Sequence, residues 1–483
     1  MSAVRKDSIN AIINKAYTLM DNKIHDDIHK KFEFQQKVIL DDEMLTENQK
    51  TRAINQLNKY YDRNKVLFNE GKRRICENCN QVCLATLFCE YCVRNNLKVN
   101  FSNWTSNNDE IDNLIRKCQM ETLGPDYIIE WIPYDNLQNI KYLTEGGISK
   151  IYRADWIGGN YNEWDMEKNQ LKRFGTFEVI LKSLENVESA SHSWFEEAKS
   201  HLTINNKRPE IVRCYGLTRD ISNGNYMLVM MKMDMDLREY LQRNHHQLTW
   251  KKRIRIIFEI LDALYYLHIE NAIHRDLHSG NILYSQFEDY WYISDLGFCG
   301  PADKPSKSIY GNLPYIAPEV FTTKKYSFAS DIYSIAMLMW EVSFGQPPFI
   351  NCEHNFDLIV NIIGGLRPNF ASEIPLEYKN LIEICWNADP LKRLDIYTLR
   401  NKIIEISKLY QNMLDESFQS NLSNLNMNKY SLESAGSRLL TYQFNSPLPN
   451  TKNVSEMLTV EYSYSKLYEF VIPNNYIEED HLY

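Results

Sequence analysis

The tightest constraint on what this chain can fold into is the ordered spacing of four short motifs. Val179-Ile180-Leu181-Lys182 puts a lysine at the end of a strand-like apolar run. His274-Arg275-Asp276-Leu277-His278-Ser279-Gly280-Asn281 sets a carboxylate and a carboxamide five residues apart on one loop. Asp295-Leu296-Gly297 follows a second strand-like run, Tyr292-Ile293-Ser294, and Ala317-Pro318-Glu319 closes the segment. One aspartate can orient a hydroxyl and accept its proton. An asparagine and a second aspartate offer hard oxygens to magnesium. A lysine serves phosphate oxygens. Phosphoryl transfer requires that set, so the fold has to bring these distant stretches to one cleft.

The length of 483 residues exceeds one ordinary core and predicts two or three domains. A net charge of -9 argues against nucleic-acid binding that depends on overall basicity. No run of eighteen or more apolar residues is present, so no membrane span is expected. The polar start, Met1 to Asn10, lacks an apolar signal core, and a cytoplasmic protein is expected. The ten cysteines are scattered except for one cluster whose spacing suits a metal better than a disulfide framework.

Residues 1–70 read as a helical N-terminal region. Ile9, Ile12, Ile13, Ala16, Tyr17 and Met20 recur at helical spacing. Thr46-Glu47-Asn48-Gln49 has the form of a capping box, and Ala53, Ile54, Leu57 and Tyr61 follow on one face up to a stop at Gly71. These stripes read as packing surfaces. Residues 71–95 hold Cys76-x-x-Cys79 and Cys89-x-x-Cys92, two knuckle-like pairs able to present four thiolates to one tetrahedral zinc ion in a small treble- or ribbon-like clip. Cys83 lies between them as an alternative ligand. Residues 96–136 form a connector with a short helical pattern near Ile111, Leu114 and Ile115. Strand-like and helix-like patterns alternate over 137–410. Residues 411–483 turn Ser- and Asn-rich and are expected to be mostly disordered, with Tyr462, Tyr464, Tyr468 and Tyr476 in a solvated tail.

From about Leu137 to Tyr410 the ordered motifs resemble the eukaryotic protein kinase family. Ser330 to Glu341 and Cys385-Trp386 resemble its tyrosine-kinase-like group, whose members mostly phosphorylate serine or threonine. The resemblance implies an α+β bilobal fold, with a small β-rich N-lobe and a large helical C-lobe behind the helical and zinc-clip extension. It implies ATP and Mg²⁺ as cofactors and proteins as substrates, and it leaves the oligomeric state open. Thr144, Gly146, Gly147 and Ser149 fall in the glycine-rich hairpin over the phosphates, where only the middle of the usual three glycines, Gly146, is kept. Lys182 pairs with the α- and β-phosphates and needs a helical carboxylate, Glu197, with Glu196 as the alternative.

The same resemblance implies that Ile151 and Ile180 cover the adenine from above and Leu283 from below. Met230 guards the back of that pocket, and backbone groups near Met231 and Met233 form the hinge. The family usually has alanine where Ile180 stands. Overpacking of that kind typically costs about 1–3 kcal/mol, or roughly ten- to a hundredfold in ATP affinity. Asn281 and Asp295 become the magnesium ligands, and Leu296 stands for the usual phenylalanine. Arg275 is expected to bind a phosphate on the segment from Asp295 to Glu319, where Ser306, Ser308 and Tyr310 lie. Asp331 is expected to brace the catalytic loop, and Arg393 to pair with Glu319.

Two departures bear on specificity. Gly311-Asn312-Leu313-Pro314-Tyr315 lacks the threonine common after that glycine in serine/threonine kinases, and His278 replaces their catalytic-loop lysine. A protonated His278 can contact the γ-phosphate. The reading is an active serine/threonine kinase, with tyrosine left open. The alternative is a pseudokinase scaffold with weakened ATP binding, motivated by Thr144, Ser149 and Ile180.

Overall fold

The computed structural model describes residues 27–146, 149–184, 194–300, 311–370 and 374–411, together with Ile9, Ile12, Ile13, Lys15, Ala16, Tyr17, Leu19, Met20 and Ile309. Helix α1 (Ile28–Leu40) starts where Asp27 accepts the backbone N–H groups of His29 and Lys30. Helix α2 (Glu47–Phe68) starts on the expected capping box, with the Thr46 and Gln49 side chains each accepting the other's backbone N–H. Ile39, Ala53 and Leu57 bury one stripe against Ile9 and Ile12. The stop differs from the expectation. Asn69, in the left-handed conformation at φ 54°, caps α2 two residues before Gly71, because asparagine tolerates that region almost as well as glycine.

Strands β1 (Arg74–Ile75) and β2 (Val82–Cys83) form a small antiparallel hairpin. Helices α3 (Glu90–Val99) and α4 (Asp109–Met120) follow, the latter capped by Asn108. A two-residue strand, β3 (Glu130–Trp131), then leads into the small lobe. There β4 (Leu137–Gly146), β5 (Ser149–Trp156), β8 (Phe177–Leu184), β9 (Cys214–Arg219) and β10 (Tyr226–Met231) build a sheet, while β6 (Tyr161–Asp165) and β7 (Gln170–Arg173) make a separate hairpin and α5 (Trp194–Asn205) packs alongside. The sheet order is β3-β9-β10-β8-β5-β4, antiparallel throughout except for β3 beside β9. Gly216, at φ 151°, permits that parallel contact: a Cβ there would sit 1.8 Å from the Glu130 carbonyl oxygen. The connector therefore contributes a strand to the small lobe.

The large lobe holds β11 (Met235–Asp236), α6 (Leu237–Asn244), α7 (Trp250–Ile269), β12 (Ile282–Ser285), β13 (Tyr290–Ile293), α8 (Pro318–Thr323), α9 (Phe328–Phe344), α10 (Phe356–Ile363), α11 (Leu376–Cys385) and α12 (Ile396–Gln411). Its centre is α9, which is buried on nearly every side and packs Ile332, Ile335, Met337 and Leu338 in one core with residues of α7 and α11. Glu319 and Arg393 tie α8 to the segment before α12 through a two-pronged ion pair of 2.7 and 2.6 Å, as expected. Among the described residues no helix is long and apolar enough to cross a membrane. The tail residues 412–483, with Tyr462, Tyr464, Tyr468 and Tyr476, lie outside the described residues.

Candidate active site

Lys182 sits in the central strand β8, flanked by β5 and β10, so its backbone is fixed on both sides. Its Nζ lies 2.8 Å from Glu197 Oε1 on α5 and 2.7 Å from Asp295 Oδ1. Burial alone would lower the lysine pKa, but Asp295 and Glu197 overcome it and raise the value. Asp295 shows the mirror effect: burial works against its charge, yet the Lys182 ammonium holds its carboxyl well below the ordinary value. The helix resolves the choice between the two glutamates. Glu197 faces the lysine and is buried, whereas the Glu196 side chain is exposed and pairs with Lys199 at 3.4 Å.

Asp295 has a left-handed backbone, φ 54°, and accepts the Gly297 N–H at 3.2 Å. Non-glycine residues in that region store strain, which concentrates at functional sites. Leu296 is fully buried. Its N–H donates to Nε2 of His201 at 3.2 Å, a contact the sequence reading missed. His201 follows Glu197 by one helical turn and shares its face. Burial first, then the Lys182 charge, pushes its pKa down to about 4, so the ring is a neutral acceptor at pH 7.

Asp331 braces the catalytic loop as expected. Its carboxylate accepts the N–H groups of His274 at 2.9 Å and Arg275 at 3.1 Å, and it meets His268 Nε2 at 2.9 Å. Arg275 is left-handed, φ 71°, which turns the chain so that Asp276 enters the cleft. Asp276 Oδ1 accepts the Asn312 N–H at 3.2 Å. The Asn281 amide donates to the Asp276 carbonyl at 2.8 Å, which commits its nitrogen and leaves its side-chain oxygen for another partner. His278 accepts the Gly280 N–H on Nδ1 at 3.1 Å and holds Nε2 3.7 Å from Asp276 Oδ1. Burial would raise the Asp276 carboxyl, but the adjacent His278 more than offsets this and keeps it below its ordinary value.

The nucleotide side is carried by the β4–β5 hairpin, where Thr144 pairs with Ile151 and Gly146 with Ser149. Gly147 lies outside the described residues. Ile180 pairs with Met230 on the neighbouring strand and packs in one cluster with Met231, Met233 and Leu283, while Ile151, half-buried, is the cross-strand partner of Lys182. The Met231 N–H is already given to the Arg213 carbonyl at 2.8 Å. The Arg275 guanidinium lies against Gly300 at the start of the segment it was expected to order; Ser306, Ser308 and Tyr310 fall outside the described residues.

A second cluster stands apart from this cleft. The β1–β2 hairpin carries Cys76 and Cys79, and α3 begins at Cys89 and carries Cys92. All four sulfurs lie within 4.8 Å of one another. Cys76 and Cys92 are 3.7 Å apart and Cys79 and Cys89 3.6 Å. A disulfide would be about 2 Å, whereas the sulfur–sulfur edge of a tetrahedral zinc site with bonds near 2.3 Å is about 3.8 Å. Burial alone would push the Cys76 thiol up, but the Cys79 and Asn78 N–H groups lead a set of hydrogen bonds that brings it down to about 7. Cys83 is buried beside Cys89 and Glu90, outside the set of four.

Comparison with known proteins agrees with the cleft. The family model for protein tyrosine and serine/threonine kinases matches residues 137–403. Curated dual serine/threonine and tyrosine protein kinases of Homo sapiens and Pimephales promelas are 31% identical over 196 residues, which is 39% of this chain and 21% of theirs. A probable serine/threonine-protein kinase of Dictyostelium discoideum is 24% identical over 325 residues, 62% of this chain and 16% of its own. This chain thus spans about a fifth of the length of the curated relatives it matches. Because the family match covers more than half of the 483 residues and its motifs converge on Lys182 and Asp276, the chain belongs to the eukaryotic protein kinase family.

Proposed function

We propose that the chain transfers the γ-phosphoryl group of ATP, with magnesium, to serine or threonine hydroxyls of protein substrates, and that it falls in the tyrosine-kinase-like group. The observation that carries this is Lys182 held at 2.8 and 2.7 Å between Glu197 and Asp295, the arrangement that presents an ammonium to phosphate oxygens. Asp276 orients the acceptor hydroxyl and takes its proton, which its depressed pKa allows it to do as a carboxylate. Asn281, through its uncommitted side-chain oxygen, and Asp295 fit magnesium, a hard cation that takes oxygen ligands and keeps several waters. Bound there, the metal supplies neutralisation of phosphate charge. Ile151, Ile180, Leu283 and Met230 enclose the adenine, and hinge contacts fall to the Met231 carbonyl and the Met233 backbone. Thr144, Gly146, Gly147 and Ser149 line the turn over the phosphates. His278 Nε2 sits beside Asp276 and serves the γ-phosphate in place of lysine.

Arg275 orders the segment after Asp295 when that segment is phosphorylated. Cys76, Cys79, Cys89 and Cys92 hold a structural zinc ion, supported by the 3.6–3.7 Å sulfur spacings. Ten thiols, four of them gathered this way, suit the reducing cytoplasm. The division of labour is 1–70 as a helical region, 71–95 as the clip, 96–136 as a connector, 137–410 as the kinase domain and 411–483 as the tail.

The test is transfer from labelled ATP with magnesium to a generic protein substrate, the parent chain beside Asp276→Asn. Label from the parent alone is expected, on serine or threonine; label on tyrosine would overturn the specificity, and none from either would overturn the transferase reading. A second reading, a scaffold with weakened ATP binding, is favoured by Ile180 standing in the adenine cluster. Zinc is tested by metal analysis of the purified chain: about one ion per chain, lost in Cys76→Ser, is expected, and a metal-free chain that folds normally would refute it.

A further inference from the structure

We propose that α4, from the segment ahead of the kinase domain, is a positioning element for phosphoryl transfer: it holds α5, and Glu197 with it, against Lys182. The inference rests on the site reading above but not on measured activity. Helix α5 has two buried directions. One carries Glu197 and His201, one turn apart, toward Lys182 and the Leu296 N–H. The other, roughly a quarter-turn to a third of a turn around the helix, carries Ala198 and Leu202, both fully buried.

Helix α4 shares in burying that second face, together with sheet residues such as Cys214 and Leu217 of β9. Ile111 and Ile115 are fully buried and Cys118 is 1% exposed, and all three share one core cluster with Ala198, Leu202 and Met230. Ile111 and Ile115 stand i, i+4 on α4, as Ala198 and Leu202 do on α5, so each pair lies on one face of its helix. Polar contacts fix the register. The Cys118 thiol reaches the Leu202 carbonyl at 3.8 Å, and the buried Asn206 amide donates to the Cys118 carbonyl at 3.0 Å. Gln119 donates to the Ile129 carbonyl at 2.7 Å, just before β3 joins the lobe sheet. At the same C-terminal end α4 also meets the segment that follows the cysteine clip, where Met120 packs with Val93 and Leu97 of α3. Helix α4 is thus fixed through its last turn and packs in the same core cluster as the helix that carries Glu197. A tightly packed interface has discrete arrangements rather than a continuous range, so loosening it frees α5 to leave the position that the Lys182 contact requires.

The experiment uses the full chain with Ile111→Ala/Ile115→Ala, and with Ile111→Val/Ile115→Val as a milder pair that preserves folding. Amide hydrogen exchange is read on α5, α7 and α9, alongside affinity for a fluorescent ATP analogue and steady-state kinetics. The expected result is exchange in α5 faster by about tenfold in the alanine pair and by less in the valine pair, with α7 and α9 unchanged. Catalytic efficiency for ATP falls by about the same factor, while KM for the protein substrate holds. Unchanged exchange in α5 would overturn the proposal. So would equal acceleration in all three helices, which marks a merely structural role. If the parent chain transferred no phosphate, the transferase reading would fall, yet exchange in α5 and analogue affinity would still decide the brace.

Discussion

Two ion pairs, one inside the large lobe and one in the cleft, differ in how completely their charges are matched. Arg393 meets Glu319 through both prongs of its guanidinium, and its remaining N–H groups reach the carbonyls of Asn387, Ala329 and Ala388. One cation faces one anion, and the arginine is fully enclosed. At Lys182 a single ammonium serves two carboxylates, on α5 and on the strained turn after β13, and the Asp295 side chain is 36% exposed. The first pair is complete without a ligand. The second carries surplus negative charge beside an opening, which favours an additional cation there. The balanced pair suits a structural role; the unbalanced one suits the chemistry proposed for the cleft.

That contrast can be broken directly. Arg393→Ala leaves Glu319 and several carbonyls without their donor, and loss of one member of a buried pair costs about 3–5 kcal/mol. Chemical denaturation is expected to show a drop of that order, and an unchanged unfolding midpoint would erase the distinction. Lys182→Met is the counterpart. It removes a preorganised charge from the phosphates, so transfer from labelled ATP should fall about 100- to 1,000-fold. Its unfolding midpoint should move less than that of Arg393→Ala, since the site it leaves is open to solvent on one side. If Lys182→Met unfolds the chain as readily, the cleft pair is structural too.

How much of this was legible in the sequence follows from the range over which each feature acts. Lys182, Asp276, Asn281 and Asp295 were readable because each stands in a motif a few residues long. The choice between Glu196 and Glu197 required the phase of α5, which only packing sets. His201 escaped notice because a single histidine in a helix carries no pattern; the one available signal was its place four residues after Glu197. The stripe of Ile111, Leu114 and Ile115 was visible, but its partner Leu202 lies far along the chain, and periodicity does not name partners. Strand β3 is two residues long, too short for alternation to mark, and its pairing depends on Gly216. The stop of α2 moved from Gly71 to Asn69 because either residue can supply the left-handed cap.

Ile180 sharpens the comparison on the nucleotide side. Its side chain packs with Met230, Met231, Met233 and Leu283, where the adenine is expected. Ile180→Ala should open that space and tighten ATP binding by roughly ten- to a hundredfold, the inverse of a 1–3 kcal/mol overpacking cost. Isothermal titration of the Asp276→Asn background with MgATP measures it without turnover. Weaker binding in the alanine variant would mean that Ile180 supports the pocket instead of crowding it.

The smallest expected effect asks whether every unmatched buried charge is functional. Glu210 is buried, and burial first of all pushes its carboxyl up to about 7, with Arg63 of α2 pulling the other way. Its folded value exceeds the ordinary carboxyl value of 4.5, so the folded state binds the proton more tightly. This contribution to stability is complete below pH 4.5 and is lost as pH rises toward 7. Glu210→Gln cannot ionise and should flatten that decline, gaining stability at pH 8 relative to the parent. Urea unfolding of both chains at pH 5 and pH 8 reads the difference. Phosphoryl transfer should be the same in both, because Glu210 lies toward α2 and not among the residues around Lys182. Equal pH slopes would show that Arg63 already neutralises the group, and the surplus charge at Lys182 would then stand out more clearly.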